Sequence, residues 1–204
     1  MPAFRLEPSL YQQLLDLPEH QVGEIIGGQL HVHSRPSGPH GVAGGGVFLD
    51  TCGPFQRGAG GPGGWWIMPE PELHLIRDVE VVVPDVAGWR KERMPQVPQG
   101  HRFEVVPDWV CEVLSPTTAR RDRGVKLALY ARYGVAFCWL IDPGVQTLEV
   151  LTLVQGRWQL AGVHGGADRV QVPPFEAVTM DLSGWWLAET TSKPLDVFEP
   201  GAPL

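Results

Sequence analysis

The pattern of apolar and polar positions predicts strands along most of this chain. Apolar side chains either alternate with polar ones or form short runs between turn residues, as they do in half-buried and fully buried strands. The segments with this pattern are a hairpin over Gln21–His33 that turns at Gly27-Gly28, a hairpin of Trp65–Arg77 and Val79–Trp89, single strands over Trp109–Leu114 and Ala136–Ile141, and a hairpin of Gln146–Val154 and Arg157–Ala161. In the strand Trp109–Leu114, Glu112 shares one face with Val110 and Leu114. A carboxylate with apolar neighbours costs free energy unless it is paired, hydrogen-bonded or bound to a metal.

Three other segments have the spacing of apolar residues that is typical of helices. They are Tyr11–Leu17, Gly41–Arg57 with its weakening glycines, and a segment that begins within Thr117–Gly124 and ends at Gly134. In the last of these, Asp122, Lys126 and Tyr130 follow one another at every fourth position and therefore share one stripe. Helices placed among strands predict an α/β (α+β) fold, a mixed sheet flanked by helices with extra β-hairpins at both ends.

The length of 204 residues, with 25 glycines and 20 prolines, predicts one domain with many turns over residues 1–189. Residues 190–204 have the composition of a weakly structured tail. No apolar run is long enough to span a membrane and no secretory signal pattern precedes the domain, so we expect a cytoplasmic protein without membrane contact. The three cysteines, Cys52, Cys111 and Cys138, are widely spaced, which favours buried free thiols.

The overall net charge of −7 does not favour non-specific coating of nucleic acid. The positive charges are concentrated in one part of the chain. Between Arg90 and Arg132 the basic residues outnumber the acidic ones nine to five. Arg120, Arg121 and Arg123 lie within this window and are candidates for binding a nucleic-acid phosphate. The alternative is that these arginines form the solvated start of a helix.

Three residues form the minimum set for metal-dependent hydrolysis of a phosphodiester. Asp85 follows Pro84 at the end of one predicted strand, Glu112 lies on another, and Lys126 lies on the helix after it. Two carboxylates hold Mg²⁺ or Mn²⁺, and a lysine orients the attacking water and stabilises negative charge on the phosphate. Residues that extend this set as accessory groups are Glu24, Glu72, His40 and Asp122.

A long motif follows the same residues. The run PDWVCEVLSPTTARRDRGVKLALYARYGVAFCWLIDP, with the upstream segments GEIIGGQL and VVVPDVAGW and with His40 between them, resembles the Uma-type endonucleases, a bacterial family within the PD-(D/E)XK nuclease superfamily. The resemblance covers about Tyr11 to Leu160. It implies a restriction-endonuclease-like αβββαβ core, with Asp85, Glu112 and Lys126 as catalytic residues and Glu24 as an accessory acid. By analogy it also implies a DNA substrate and a homodimer.

One departure concerns the lysine. The superfamily pattern has a lysine two residues after the glutamate, and Leu114 stands at that position here. The family resemblance places the lysine on the next helix instead, which is the reason for assigning Lys126.

Three alternatives remain from the residues themselves. The first is a non-catalytic domain that keeps the fold and binds nucleic acid or protein. The second is a zinc site, for which the ligands would come from His31, His33, Cys52 and His74, without paired spacing. The third is a phosphate-binding loop in the glycine-containing stretch Gly41–Arg57, which no strong strand precedes and no GK[ST] follows.

Overall fold

The strands form two larger sheets and one two-stranded ribbon within residues 7–34 and 37–188, the part of the chain that this computed structural model describes. In chain order the strands are β1 (Gln21–Ile26), β2 (Gln29–Ser34), β3 (Trp65–Pro69), β4 (Glu72–Ile76), β5 (Glu80–Val82), β6 (Val86–Arg90), β7 (Arg102–Phe103), β8 (Trp109–Val113), β9 (Phe137–Asp142), β10 (Thr147–Val154), β11 (Arg157–Gly165), β12 (Arg169–Val170) and β13 (Met180–Asp181). The helices are α1 (Leu10–Leu15), α2 (Gly38–Thr51), α3 (Ala119–Arg121) and α4 (Leu127–Tyr133).

Both larger sheets are mixed. The order β2-β1-β5-β4-β7 forms a five-stranded sheet in which only β4 and β7 are parallel. The order β11-β10-β9-β8-β6-β3 forms a six-stranded sheet in which only β8 and β9 are parallel. Along the chain, α2, β3, β6, β8, the helical segment with α3 and α4, and β9 follow the αβββαβ order. The predicted mixed α/β class and the hairpins at both ends are therefore confirmed.

The two faces of β8 supply two different cores, as the period of two predicts. Cys111 and Val113 pack with α2 on one face, in a core that includes four buried tryptophans. Val110 and Leu114 lie on the other face, in a core that includes Tyr130 of α4 and Val82 of the five-stranded sheet. Glu112 shares this second face by alternation. It therefore points towards α4 and the gap between the two sheets.

The segment predicted as one hairpin over Trp65–Trp89 is divided between the two sheets. The pairing partners are as predicted, since β3 pairs with β6 and β4 pairs with β5 around the turn at Asp78. The ladder is interrupted at Glu70-Pro71 and again at Val83-Pro84, because proline has no N–H to donate to a neighbouring strand. The chain thus passes between the sheets twice, and Asp85 lies at the second passage.

Helix α2 includes most of the predicted helix Gly41–Arg57 and continues into a π-helical turn, Cys52–Gln56. It begins three residues earlier than predicted, with Pro39 in its first turn, where proline is well tolerated. His40, which precedes the predicted helix in the sequence, therefore lies on this helix. Gly46 has a packing role, because an added Cβ would lie 2.7 Å from Cδ1 of Trp185.

The second main helix runs without interruption from α3 through a π-helical turn, Asp122–Lys126, into α4. Gly134 ends it with a left-handed backbone (φ 79°), as predicted. The three cysteines are free and buried, also as predicted. Among the described residues, no helix has the length and apolar character needed to span a membrane. The predicted C-terminal tail lies outside the described residues.

Candidate active site

Asp85 and Glu112 lie at the same end of the β6–β8 pair. Val86, the first residue of β6, pairs with Cys111, so that Asp85 immediately precedes this pair on one strand and Glu112 immediately follows it on the other. The backbone N–H of Val113 donates to Oδ2 of Asp85 at 2.6 Å. Both acids line a cleft of about 530 Å³ at the junction of the two sheets. The structure thus brings together the two carboxylates that the sequence singled out.

Lys126 lies beneath this cleft, on the π-helical turn. Its Nζ is 2.8 Å from Oε1 of Glu112 and 2.8 Å from Oε1 of Glu24 on β1. It also donates to the carbonyl oxygen of Val83 at 3.3 Å. An ammonium group has three N–H donors, so each has a protein partner here. Leu114 packs in the apolar core instead, and the lysine from the helix is the one that reaches the carboxylates.

The acids around Lys126 keep it charged. Burial disfavours the ammonium, but Glu112, Glu24 and Asp122 outweigh burial and raise the pKa of Lys126 above its usual value. The side chain is only 3% exposed. Lys126 is therefore a permanent positive charge at neutral pH.

Glu24 is the acid that pairs best with this charge. Burial opposes its ionisation, but the charge and hydrogen bond of Lys126, the N–H of Val83 and the charge of Arg121 hold the pKa of Glu24 below its usual value. Val83 N donates to Oε1 at 3.0 Å, and Nη2 of Arg121 lies 3.3 Å from Oε2. Glu24 is an ionised, fully buried partner of Lys126 rather than a residue that faces the cleft.

The pKa values of Glu112 and Asp122 are raised, whereas that of Glu24 is lowered. Burial raises the pKa of the Glu112 carboxyl well above its usual value, with Asp122 and Asp85 adding to the effect and Lys126 opposing it. Burial also raises the pKa of Asp122, against the opposing charge of Lys126. Both residues line the cleft. The acids that line the cleft are Glu70, Asp85, Glu112 and Asp122, and its Lys and Arg side chains are Lys126 and Arg121. This excess of acids over basic side chains favours binding of a further cation.

His40 reaches Asp85 from the opposite side of the six-stranded sheet. Its Nε2 lies 3.2 Å from Oδ1 of Asp85. Burial disfavours the charged imidazole, but the hydrogen bond to Asp85 and its charge outweigh burial and raise the pKa of His40. Asp85 is thus held by a backbone N–H on one oxygen and by His40 on the other.

Glu72 does not join this cluster. Its Oε1 accepts from the Tyr11 hydroxyl at 2.8 Å and lies 2.7 Å from Nε2 of His74. These contacts hold α1 against the outer face of the five-stranded sheet. Glu72 is not among the residues that line the cleft of Asp85 and Glu112, and its accessory role stays a prediction.

The three candidate arginines have three different environments. Arg121 lines the cleft and pairs with Glu24. Arg123 forms a two-bond pair with Glu149, at 2.8 and 2.6 Å. Arg120 is exposed. Two of the three therefore have carboxylate partners within the chain.

Sequence reasoning missed one acid of the cleft, Glu70. It lies between the two sheets with a positive φ of 44°, its N–H donates to the carbonyl of Asp85 at 3.0 Å, and its charge contributes to the raised pKa of His40. The signal was its position between Pro69 and Pro71, which breaks the strand pattern. The hydroxyl side chains of the cleft were also missed; they are Ser34, Ser37, Ser115, Thr117 and Thr118.

The donor set of the cleft fits Mg²⁺ or Mn²⁺. Asp85 and Glu112 offer hard carboxylate oxygens from adjacent strands, and Mg²⁺ is commonly held by one or two carboxylates with water and phosphate at its other positions. Within residues 7–34 and 37–188, no three His, Cys, Asp or Glu side chains converge as in a closed metal centre. The zinc alternative fails for this reason, since Cys52 is part of an apolar core and His74 is bound to Glu72.

Comparisons with known proteins show the fold and the family. A crystal structure of a putative nuclease belonging to DUF820, from Anabaena variabilis ATCC 29413, has a similar fold, with a TM-score of 0.64 and 24% sequence identity over 87% of this chain and 99% of that chain. No curated protein matches the chain. A family model described as "Putative restriction endonuclease", Uma2, matches residues 9–183, which confirms the resemblance seen in the central motif. The chain therefore belongs to the Uma2 family.

Proposed function

We propose that this protein is a metal-dependent endonuclease that hydrolyses DNA phosphodiester bonds. One observation carries the proposal: Asp85 and Glu112 line one cleft, with the ammonium of Lys126 2.8 Å from Glu112. Membership of a family described as "Putative restriction endonuclease" supports it.

Asp85 and Glu112 would hold Mg²⁺ or Mn²⁺ in this scheme. When bound, such an ion polarises a phosphoryl oxygen and lowers the pKa of a coordinated water. Val113 N–H and His40 fix the two oxygens of Asp85, and Lys126 fixes Glu112. The protein's own contribution is thus a pair of carboxylates that are oriented before any ligand arrives.

Lys126 is assigned to charge stabilisation rather than to proton abstraction. A general base must be deprotonated at the working pH, and the surrounding acids raise the pKa of Lys126. To reach a phosphate oxygen it would exchange one of its three contacts, and the carbonyl of Val83, at 3.3 Å, is the longest of them. This refines the earlier expectation that Lys126 assists the attacking water.

Hydroxyl groups and one arginine of the cleft would contact the DNA backbone. Ser115, Thr117 and Thr118 line the cleft, and Arg121, which also lines it, lies about one helical turn beyond Thr118. Hydroxyl and guanidinium groups are common donors to phosphate oxygens. Arg120, which is exposed, would extend this contact outside the cleft. A homodimer that cuts both strands, acting in the cytoplasm, completes the proposal.

A second candidate is a binding domain without catalysis. One observation favours it, because every N–H of Lys126 already has a partner within the chain. In this alternative the buried charge network holds the two sheets together, and nucleic acid or protein binds without being cleaved.

Nicking of a supercoiled plasmid separates the two candidates. We expect cleavage by the wild-type protein with Mg²⁺ or Mn²⁺, none with EDTA, and a loss of at least about 100-fold in Asp85→Asn and Glu112→Gln, because each removes a metal-binding charge. Glu149→Gln is the matched control, since it changes a carboxylate outside the cleft. DNA binding without any nicking, or nicking that Glu112→Gln leaves unchanged, would favour the second candidate.

A further inference from the structure

Tyr130 contacts the same carboxylate as Lys126. It lies one helical turn after Lys126, on α4, and is fully buried. Its hydroxyl donates to Oε1 of Glu112, the oxygen that also accepts from Lys126. The phenol ring packs in the apolar core between the two sheets.

This arrangement distinguishes the two oxygens of Glu112. Both contacts of the carboxylate with described side chains go to Oε1, and Glu112 also lines the cleft. Oε2 is therefore the oxygen that has no side-chain contact among the described residues and is available to a ligand in the cleft. A carboxylate held by two donors on one oxygen has lost the freedom to rotate, so its other oxygen has a fixed direction.

We propose that Tyr130 is a positioning residue: it holds Glu112 by Oε1, so that Oε2 alone is presented to a divalent cation in the cleft. This inference rests on the proposed metal-dependent function and assigns a role that Asp85, Glu112 and Lys126 leave open. It predicts coordination by a single oxygen of Glu112. Groups that orient a metal-binding carboxylate in this way commonly change metal affinity by about 10- to 100-fold when removed.

The ring and the hydroxyl of Tyr130 have separate contacts, since the ring packs in the apolar core and the hydroxyl contacts Glu112. Phenylalanine at this position keeps the ring in the apolar core and removes only the donor. The variant Tyr130→Phe therefore separates positioning from packing.

Tyr133 provides a matched control on the same helix. Its hydroxyl donates to Oε2 of Glu80 at 3.1 Å, and Glu80 does not line the cleft. Tyr133→Phe thus also removes a hydrogen bond between a tyrosine and a glutamate, at a place where no metal role is proposed.

Calorimetry with Mn²⁺ and fluorine NMR test the inference together. The chain has three tyrosines, so labelling with fluorotyrosine gives three resonances, which Tyr11→Phe and Tyr133→Phe assign by elimination. We expect Mg²⁺ to shift the Tyr130 resonance only, Tyr130→Phe to weaken Mn²⁺ binding about 10- to 100-fold, and Tyr133→Phe to stay within about twofold of wild type.

The results separate the inference from the function on which it rests. Mn²⁺ binding by wild type that Tyr130→Phe leaves unchanged, or a Tyr130 resonance that Mg²⁺ does not move, would overturn the positioning role alone. Absence of Mn²⁺ binding by wild type would overturn both. The resonance is measured in the wild-type protein, so it decides the question even if Tyr130→Phe does not fold.

Discussion

Replacing Lys126 with methionine removes a buried charge while keeping an unbranched side chain of similar length. In the wild type the ammonium contacts Glu24 and Glu112 at 2.8 Å each, and all three residues are at least 96% buried in their side chains. After the substitution, Glu24 keeps the Val83 N–H and Arg121, and Glu112 keeps Tyr130. Arg121 is the one cation among these remaining contacts, so the two carboxylates have one positive charge fewer than in the wild type.

The expected cost is about 3–5 kcal/mol of unfolding free energy, the usual result of leaving a buried charge without its partner. Since single domains are stable by roughly 5–15 kcal/mol, the variant should still fold but with a much lower urea midpoint. Arg123→Met is the control, because it removes a helix cation whose pair with Glu149 is 40% and 24% exposed. Such a surface pair contributes about 0–1 kcal/mol.

The stability cost of Lys126→Met should also depend on pH, in a direction that can be measured. Without Lys126, the folded-state pKa values of Glu24 and Glu112 lie above those of the unfolded chain. A carboxyl group of this kind destabilises the fold at high pH, and the cost falls as the pH drops through the folded pKa. The penalty of Lys126→Met should therefore be smaller at about pH 5 than at about pH 7.5.

Urea unfolding followed by tryptophan fluorescence measures both effects. Adding Glu24→Gln to Lys126→Met should recover part of the loss, because it removes one of the uncompensated charges. If Lys126→Met costs no more than Arg123→Met, at either pH, the charge network is solvated rather than buried and the description of the site is wrong.

Two further predictions concern α2. Gly45→Ala should stabilise the protein by about 0.5–1 kcal/mol, because Gly45 is exposed and an added Cβ meets nothing within 4 Å. Gly46→Ala should destabilise the protein by about 1–3 kcal/mol, because the added Cβ would contact Trp185. Thermal melts of the two variants measure both effects, and equal effects would contradict this prediction. His40→Gln should lower the free energy of unfolding by about 1 kcal/mol more at about pH 5.5 than at about pH 9. The pKa of His40 is raised in the folded protein, so the charged imidazole stabilises the fold below the pKa of the unfolded chain, and this stabilisation disappears as the pH rises through the folded-state pKa. Urea titrations at both pH values measure the difference, and a larger cost at the higher pH would refute it.

Local periodicity explains why part of the site was predictable from sequence. The period of two in β8 places Glu112 on the same face as Val110 and Leu114, and the helical period places Lys126 and Tyr130 on one stripe. In the structure, Glu112 on this face of β8 contacts Lys126 and Tyr130 on this stripe of the helix, as both periods predict. What periodicity does not specify is that the stripe and the strand face meet, since that depends on how the helix crosses from β8 to β9.

Glu24 and Glu72 show the limit of this reasoning. Each is an acid within an apolar strand, and the sequence treats them alike. In the sheet, Ile25 pairs with Val81 on the outer face, which turns Glu24 to the inner face beside Lys126. Glu72 has the opposite phase and contacts Tyr11 on the outer face. The phase depends on pairing between strands about fifty residues apart in sequence, which no local pattern determines.

The sequence marks where the Trp65–Trp89 hairpin is interrupted, but it does not show that the hairpin is divided between two sheets. Pro71 and Pro84 mark the two places where the ladder stops. Proline indicates that a strand is interrupted, but not that its two halves enter different sheets. That step creates the cleft and brings Glu70 beside Asp85.

Binding of Mn²⁺ by calorimetry tests the central claim most directly. The proteins to compare are the wild type, Asp85→Asn and Glu112→Gln, with Glu149→Gln as the control and circular dichroism to show that each is folded. We expect one Mn²⁺ bound by the wild type and by the control, and binding lost or weakened at least about tenfold in the two cleft variants. Equal binding in all four proteins, or none in the wild type even with DNA present, would contradict the assignment of Asp85 and Glu112 as a metal site.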